Sequence, residues 1–174
     1  LTEVAALSEK IVLQVYDFKA QKNLADAMGI DKIPAAVVTG AGPAQGVRFF
    51  GIPSGYEYVS LVEAIIDASK GTTGLSETTK AALRELQKDV RIQVFVTPTC
   101  PYCTIAVRLA HQMARESTRI MADMVEATEF PHLAQKYAVF GVPKTVMNET
   151  VTVEGAVPEE AFLEHVRRAA GEAA

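Results

Sequence analysis

An internal repeat restricts the possible folds of this chain more than any other feature of its sequence. Residues 22–38 (KNLADAMGIDKIPAAVV) align without a gap with residues 131–147 (PHLAQKYAVFGVPKTVM), at an offset of 109 residues. The same offset aligns the apolar segments 11–18 and 120–127. Chance rarely keeps several elements in one order and register, so we expect one supersecondary unit that is used twice.

The second copy is expected to fold as an α/β unit. Its apolar periodicity predicts the order strand, helix, strand, helix, strand, strand, helix. The segments are, in that order, 90–96, 101–117, 120–127, 131–139, 145–148, 150–154 and 159–170. The first copy repeats this order from its second strand onward, at 11–18, 22–29, 35–39, 46–51 and 56–69, and a helix over 76–88 connects the two copies.

The first copy lacks the opening part of the unit. By the same offset of 109 residues, the counterparts of Val90–Thr99 and of Cys100 would precede Leu1. Losing that strand would leave its neighbours without hydrogen-bond partners, so a further upstream segment is expected. We therefore predict two domains, an incomplete unit at 1–70, without its opening strand and active-site loop, and a second unit at 76–174.

The chain has two cysteines, Cys100 and Cys103, in the motif Cys-Pro-Tyr-Cys. A disulfide between such close residues stabilises a fold little, because it closes almost no loop and removes little entropy from the unfolded chain. The disulfide frameworks of secreted domains use more cysteines, spread along the chain. The spacing therefore indicates either redox chemistry or half of a metal site.

A structural zinc site is the alternative to the redox interpretation. Zinc would require two further ligands. The candidates are His111, His132, His165 and carboxylates, and none of them shows a matching spacing. Because a proline and a tyrosine separate the cysteines and a β-branched strand precedes them, the redox interpretation is favoured and no metal is predicted.

Cys100 is predicted to lie at a strand-to-helix turn. Unpaired N–H groups and the macrodipole at a helix start favour an anion, which lowers the pKa of a thiol there. Cys100 is therefore the predicted nucleophile, and Cys103, one turn along the helix, is the predicted resolving thiol. Pro101 suits a first-turn position and fixes the loop. Tyr102 either lines the substrate groove or only covers it.

Charge and hydropathy limit the class of protein. The formal net charge is −4, which gives no electrostatic reason to expect nucleic acid or an anionic membrane as a partner. No apolar run is long enough to span a bilayer, and Leu1–Lys10 has no apolar run typical of a signal peptide. The protein is predicted to be soluble and cytoplasmic.

Two motifs and the duplication together resemble a known family. The motifs are VFVTPTCPYC, with the Val142-Pro143 dipeptide downstream, and VRFFGIPSGYEY in the first unit. The chain resembles the protein disulfide oxidoreductases, which are glutaredoxin-like proteins made of two fused thioredoxin folds. It is also similar to the N-terminal domain of the alkyl hydroperoxide reductase flavoprotein. The resemblance covers essentially the whole chain and implies two tandem thioredoxin-like units.

The resemblance also implies a substrate-binding loop. Pro143 is expected to be cis and to face the Cys-Pro-Tyr-Cys loop, which would leave the backbone of Val142 free to pair with an extended substrate. Pro34 would be its counterpart in the first unit. Separately, Glu126 lies near the end of the strand expected beside the cysteine-bearing strand, and it is a candidate proton acceptor for Cys103.

The predicted activity is disulfide exchange with protein substrates, and the redox-active disulfide is its only cofactor. A thioredoxin-reductase-like flavoprotein is the expected partner that returns electrons. Glutaredoxins carry a Gly-Gly pair where this chain has Gly155-Ala156, so protein substrates are favoured over glutathione. The alternatives are an electron shuttle to one peroxidase, such as a peroxiredoxin, and a non-catalytic interaction domain that binds zinc.

Overall fold

The computed structural model describes residues 1–40 and 46–172 of the chain. The chain forms two compact units, Leu1–Ile33 and Pro34–Ala174. The sequence repeat predicted two domains that divide at residues 70–76. Elements from both sides of that division occur in the larger unit, so the two predicted domains stay a prediction.

The smaller unit contains two short helices, α1 (Thr2–Ala5) and α2 (Lys22–Ala27). The prediction of a strand over residues 11–18 is wrong, because the segment is irregular in the structure. A strand needs a neighbour for its N–H and C=O groups, and the described part of this unit contains no strand. The apolar side chains that suggested a buried strand are exposed, Val12 by 79% and Val15 by 85%.

The larger unit follows the predicted order of elements closely. Strand and helix types agree from residue 35 onward, with ends that differ by a few residues. The elements are β1 (Ala35–Val38), β2 (Val47–Phe50), α3 (Glu57–Lys70), α4 (Glu77–Glu85), β3 (Val90–Val96), α5 (Cys103–Glu116), β4 (Ile120–Glu126), α6 (Pro131–Lys136), β5 (Lys144–Met147), β6 (Val151–Glu154) and α7 (Glu159–Ala169).

The strands form one six-stranded sheet in the order β1-β2-β4-β3-β5-β6. Strand β3 pairs in parallel with β4, as a strand–helix–strand connection through α5 requires, and antiparallel with β5. Strand β2 also pairs in parallel with β4, so both predicted copies contribute to the same sheet. The β3 strand is interior, and its carboxyl end leads into the cysteine motif.

A buried ion cluster lies where β2, β4 and β3 adjoin. Asp123 on β4 is fully buried, and its carboxylate accepts a hydrogen bond from Arg48 Nε at 2.6 Å and one from Arg91 Nε at 3.1 Å. A buried carboxylate is tolerated only when it is paired in this way. The cluster therefore fixes which residues of the three strands lie side by side.

One hydrophobic core joins the sheet with helices α3, α4, α5 and α7. Helix α5 presents Val107 and Met113 to it, and both are almost completely buried. Strand β3 is apolar over nearly its whole length because both of its faces are covered. In the part of the chain that the structure describes, every helix is too short or too polar to cross a membrane.

Candidate active site

Cys100 and Cys103 form a disulfide at the start of α5, with their Cα atoms 5.5 Å apart. Cys103 is the first residue of the helix, and Cys100 lies in the loop that follows β3. The predicted strand-to-helix turn is therefore confirmed. Cys100 is 9% exposed and Cys103 is 2% exposed, so a substrate would reach Cys100 first.

Local hydrogen bonds shape the turn. The Cys100 N–H donates to the carbonyl of Thr97 at 3.1 Å, and the Thr104 hydroxyl donates to the carbonyl of Pro101 at 2.9 Å. Pro101 has no N–H to satisfy, so it suits the position just before the helix. In the reduced protein, the unpaired N–H groups of this helix start would favour a thiolate on Cys100.

The loop before β5 faces the disulfide. The peptide bond between Val142 and Pro143 is cis, as predicted. The carbonyl oxygen of Val142 lies 3.7 Å from Cys100 Sγ, so this loop and the cysteine loop are neighbours. The role of Val142 and Pro143 in binding a substrate stays a prediction.

Lys144 anchors that loop from the side of β5. The residue is 8% exposed, and its ammonium group donates hydrogen bonds to the Ala138 carbonyl at 3.0 Å and to Glu154 Oε1 at 3.3 Å. A buried lysine needs such partners. The cation therefore links the end of α6 to the sheet, on either side of the segment that carries Val142.

Glu126 ends β4 directly beside Val96, the last residue of β3. It is 1% exposed. Its carboxylate accepts hydrogen bonds from the Thr128 hydroxyl at 2.7 Å and from the Glu129 N–H at 2.5 Å. The carboxylate is thus held at the same end of the sheet as the disulfide, and its role as a proton acceptor stays a prediction.

Glu57 is a second buried carboxylate at this end of the sheet, and no motif or spacing in the sequence selects it. The residue is 2% exposed, and burial raises its pKa to about 7. The negative charges of Glu126 and Glu129 raise the pKa further, and a hydrogen bond from the Ser54 N–H opposes the shift. Near neutral pH this group would exist in both protonation states.

The loop Gly51–Tyr56 directly precedes Glu57 and contacts the segment that leads into the cysteine motif. The Tyr56 N–H donates to the carbonyl of Pro98 at 2.9 Å, and Pro98 lies two residues before Cys100. Gly55 has φ +53°, and a Cβ there would lie 2.3 Å from the Pro98 carbonyl oxygen. Only glycine permits so close an approach between the two loops.

The remaining residues considered from the sequence differ in their burial. Tyr102 is 66% exposed beside the disulfide. His111 is buried and packs edge-on against the ring of Phe49. Within the described residues, no group of three or more His, Cys, Asp or Glu side chains is arranged to hold a metal ion.

Comparison with known proteins identifies the class of this site. The model of the thioredoxin domain family matches residues 90–167. The thioredoxin of Methanocaldococcus jannaschii is 31% identical over 80 residues, which cover 45% of this chain and 94% of that protein. A protein disulfide oxidoreductase from Aeropyrum pernix has a similar crystal structure, with a TM-score of 0.85 and 36% identity, over 93% of this chain and 71% of that one.

A third relative is a much longer protein. The alkyl hydroperoxide reductase AhpF of Escherichia coli is 26% identical over 148 residues, which is 85% of this chain. The chain spans only 26% of the length of that protein. Together with the thioredoxin-like fold and the disulfide at the start of α5, these similarities show that the chain belongs to the protein disulfide oxidoreductase family of thioredoxin-fold proteins.

Proposed function

We propose that this protein is an enzyme that exchanges disulfides with protein substrates, with Cys100 as nucleophile and Cys103 as resolving thiol. The observation that carries the proposal is the disulfide at the amino end of α5, with the more exposed cysteine, Cys100, beside the Val142 carbonyl. A disulfide between residues so close in sequence stabilises little, whereas its position at a helix start favours thiolate chemistry.

The reaction begins from the reduced protein. The Cys100 thiolate attacks one sulfur of the client disulfide, forms a mixed disulfide and releases the first client thiolate. The Cys103 thiolate then attacks Cys100 Sγ, restores the internal disulfide and releases the second client thiolate. Two electrons pass from the protein to the client. Cys103 loses its proton, and the two client thiolates become thiols by taking up that proton and one from water.

The resolving step requires a proton acceptor, because Cys103 is almost completely buried. Glu126 and Glu57 are the candidates at this end of the sheet. A carboxyl group with a pKa of about 7, such as that of Glu57, exchanges protons readily at neutral pH. We therefore assign the acceptor role to Glu57, with the charge of Glu126 helping to raise its pKa.

Trapping of the mixed disulfide tests the proposal. In a Cys103→Ser variant the mixed disulfide can form and is not resolved, so we expect covalent adducts with client proteins that dithiothreitol releases. A Cys100→Ser/Cys103→Ser double variant serves as the control and should trap nothing. If the single variant traps no more protein than the double variant, Cys100 is not the nucleophile.

A dedicated electron carrier to a peroxidase is the second candidate function. The similarity to the alkyl hydroperoxide reductase AhpF supports it. In that role the reduced Cys100–Cys103 pair would reduce the disulfide of a peroxiredoxin, and a thioredoxin-reductase-like flavoprotein would reduce the pair in turn. The range of proteins trapped by Cys103→Ser separates the two, because a dedicated carrier would trap one predominant partner.

A further inference from the structure

The loop Gly51–Tyr56 contacts the cysteine loop at Pro98 but lies outside residues 90–167, which match the thioredoxin domain. Its Tyr56 N–H is bonded to Pro98, and Pro98 is separated from Cys100 by at most about 7 Å of chain. That length corresponds to about two residues of an extended client. A client bound at Cys100 would therefore meet this loop within a few residues of its own cysteine.

Large apolar side chains are exposed on the segments that adjoin the cysteine loop. We call them the apolar rim, and they are Ile52 (64% exposed), Tyr56 (48%), Tyr102 (66%), Ile105 (49%) and Phe140 (97%). They come from three separate segments, which the Tyr56–Pro98 hydrogen bond and the contact between Cys100 and Val142 bring together. Such a surface around one reactive bond is suited to an apolar side chain of a partner.

Carboxylates give this surface a negative charge. Glu129 is exposed, and its Oε1 accepts a hydrogen bond from the Ile52 N–H at 2.7 Å. Glu57 and Glu126 are buried close by, near enough for their charges to interact with that of Glu129. A cationic client is attracted to such a site, and a small anion such as oxidised glutathione is repelled.

We propose that the loop Gly51–Tyr56 and Glu129 select the client of the disulfide exchange. The selected client is a polypeptide with a large apolar side chain and a lysine or arginine within a few residues of its disulfide. The apolar side chain packs on the rim beside Ile52 and Tyr56, and the cation interacts with the Glu129 carboxylate. This inference rests on the proposed disulfide exchange and names the substrate class for it.

Three synthetic peptides provide the probes. Each contains an internal disulfide; the first has leucine and arginine beside it, the second replaces the leucine by serine, and the third replaces the arginine by glutamine. The pre-reduced protein is mixed with each peptide, the reaction is stopped with acid, and the reduced peptide is measured to give a second-order rate constant. Hydroxyethyl disulfide is measured in the same way.

The parent protein should reduce the leucine–arginine peptide about fivefold faster than either of the other two. Ile52→Ser should abolish the preference for leucine, and Glu129→Gln should abolish the preference for arginine. The arginine preference should also weaken as salt is added, because an exposed charge acts mainly on the association rate. As matched controls, Ile66→Ser on α3 and Glu164→Gln on α7 should retain both preferences.

Hydroxyethyl disulfide reports the disulfide exchange alone, whereas the three peptides report the selection of the client. Reduction of hydroxyethyl disulfide with equal rates for all three peptides would refute the client selection and leave the disulfide exchange intact. Preferences that persist in Ile52→Ser and in Glu129→Gln would also refute it. A parent protein that reduces neither hydroxyethyl disulfide nor any peptide would refute the proposed function itself.

Discussion

Glu57 is the residue in this site whose chemistry depends most on its surroundings. It is an ordinary glutamate at the start of α3, yet burial beside two other carboxylates raises its pKa to about 7. A carboxyl group with that pKa is a better proton acceptor for a thiol than an exposed glutamate. The proposed proton acceptor is therefore distant in sequence from both cysteines.

Replacing Glu57 by glutamine tests this role. The rate constant for disulfide exchange in the parent should rise with pH through about 7, because only the ionised carboxylate accepts a proton. Glu57→Gln should lack this rise of the rate constant near pH 7 and should react about tenfold more slowly at pH 8. Rates measured from about pH 5 to 9 provide the comparison, with Glu63→Gln on the same helix as the control. If the rate constant of Glu57→Gln rises near pH 7 as it does in the parent, Glu57 is not the proton acceptor.

At the scale of elements, periodicity predicted every strand and helix of the larger unit, because each is covered by neighbours within that unit. Residues 11–18 have the same apolar character, but the described part of their unit offers no strand to pair with. The apolar pattern of a strand is thus insufficient by itself, since strand formation depends on non-local hydrogen bonds. This is why the prediction failed there.

The contact between the β2–α3 loop and the cysteine loop could not be predicted from the sequence. No motif or spacing in the sequence links Gly55 or Glu57 to Cys100. That link arises from the parallel pairing of β2 with β4, which brings the ends of these strands and of β3 to one side of the sheet. The cysteine site was predictable because its motif is local, and the cis proline was expected from the resemblance to the protein disulfide oxidoreductases.

At the scale of the molecule, one sheet carries both copies of the repeat, and the loop Gly51–Tyr56 of the first copy contacts the cysteine loop of the second. The interior of the larger unit includes His111, whose pKa burial lowers to about 3, with the charge of Arg115 contributing and the backbone of Arg48 opposing. The folded protein therefore holds this histidine neutral, whereas the unfolded chain protonates it below about pH 6.5.

The free energy of unfolding should consequently fall on acidification. Because the folded-state pKa of His111 is lowered, its contribution is present above about pH 6.5 and is lost as the pH decreases toward 3. Between pH 7 and 5 the parent should lose about 2 kcal/mol more than a His111→Leu variant, which has no group to protonate. Urea unfolding at the two pH values measures the difference, and equal losses would contradict a buried neutral histidine.

The central claim is that the Cys100–Cys103 pair catalyses disulfide exchange. Reduction of insulin disulfides by dithiothreitol, followed as precipitation of the insulin B chain, tests it most directly. We expect the parent protein to accelerate precipitation and Cys100→Ser to precipitate insulin no faster than dithiothreitol alone. Equal acceleration by the parent and by Cys100→Ser, or none by either, would contradict a catalytic role for this pair.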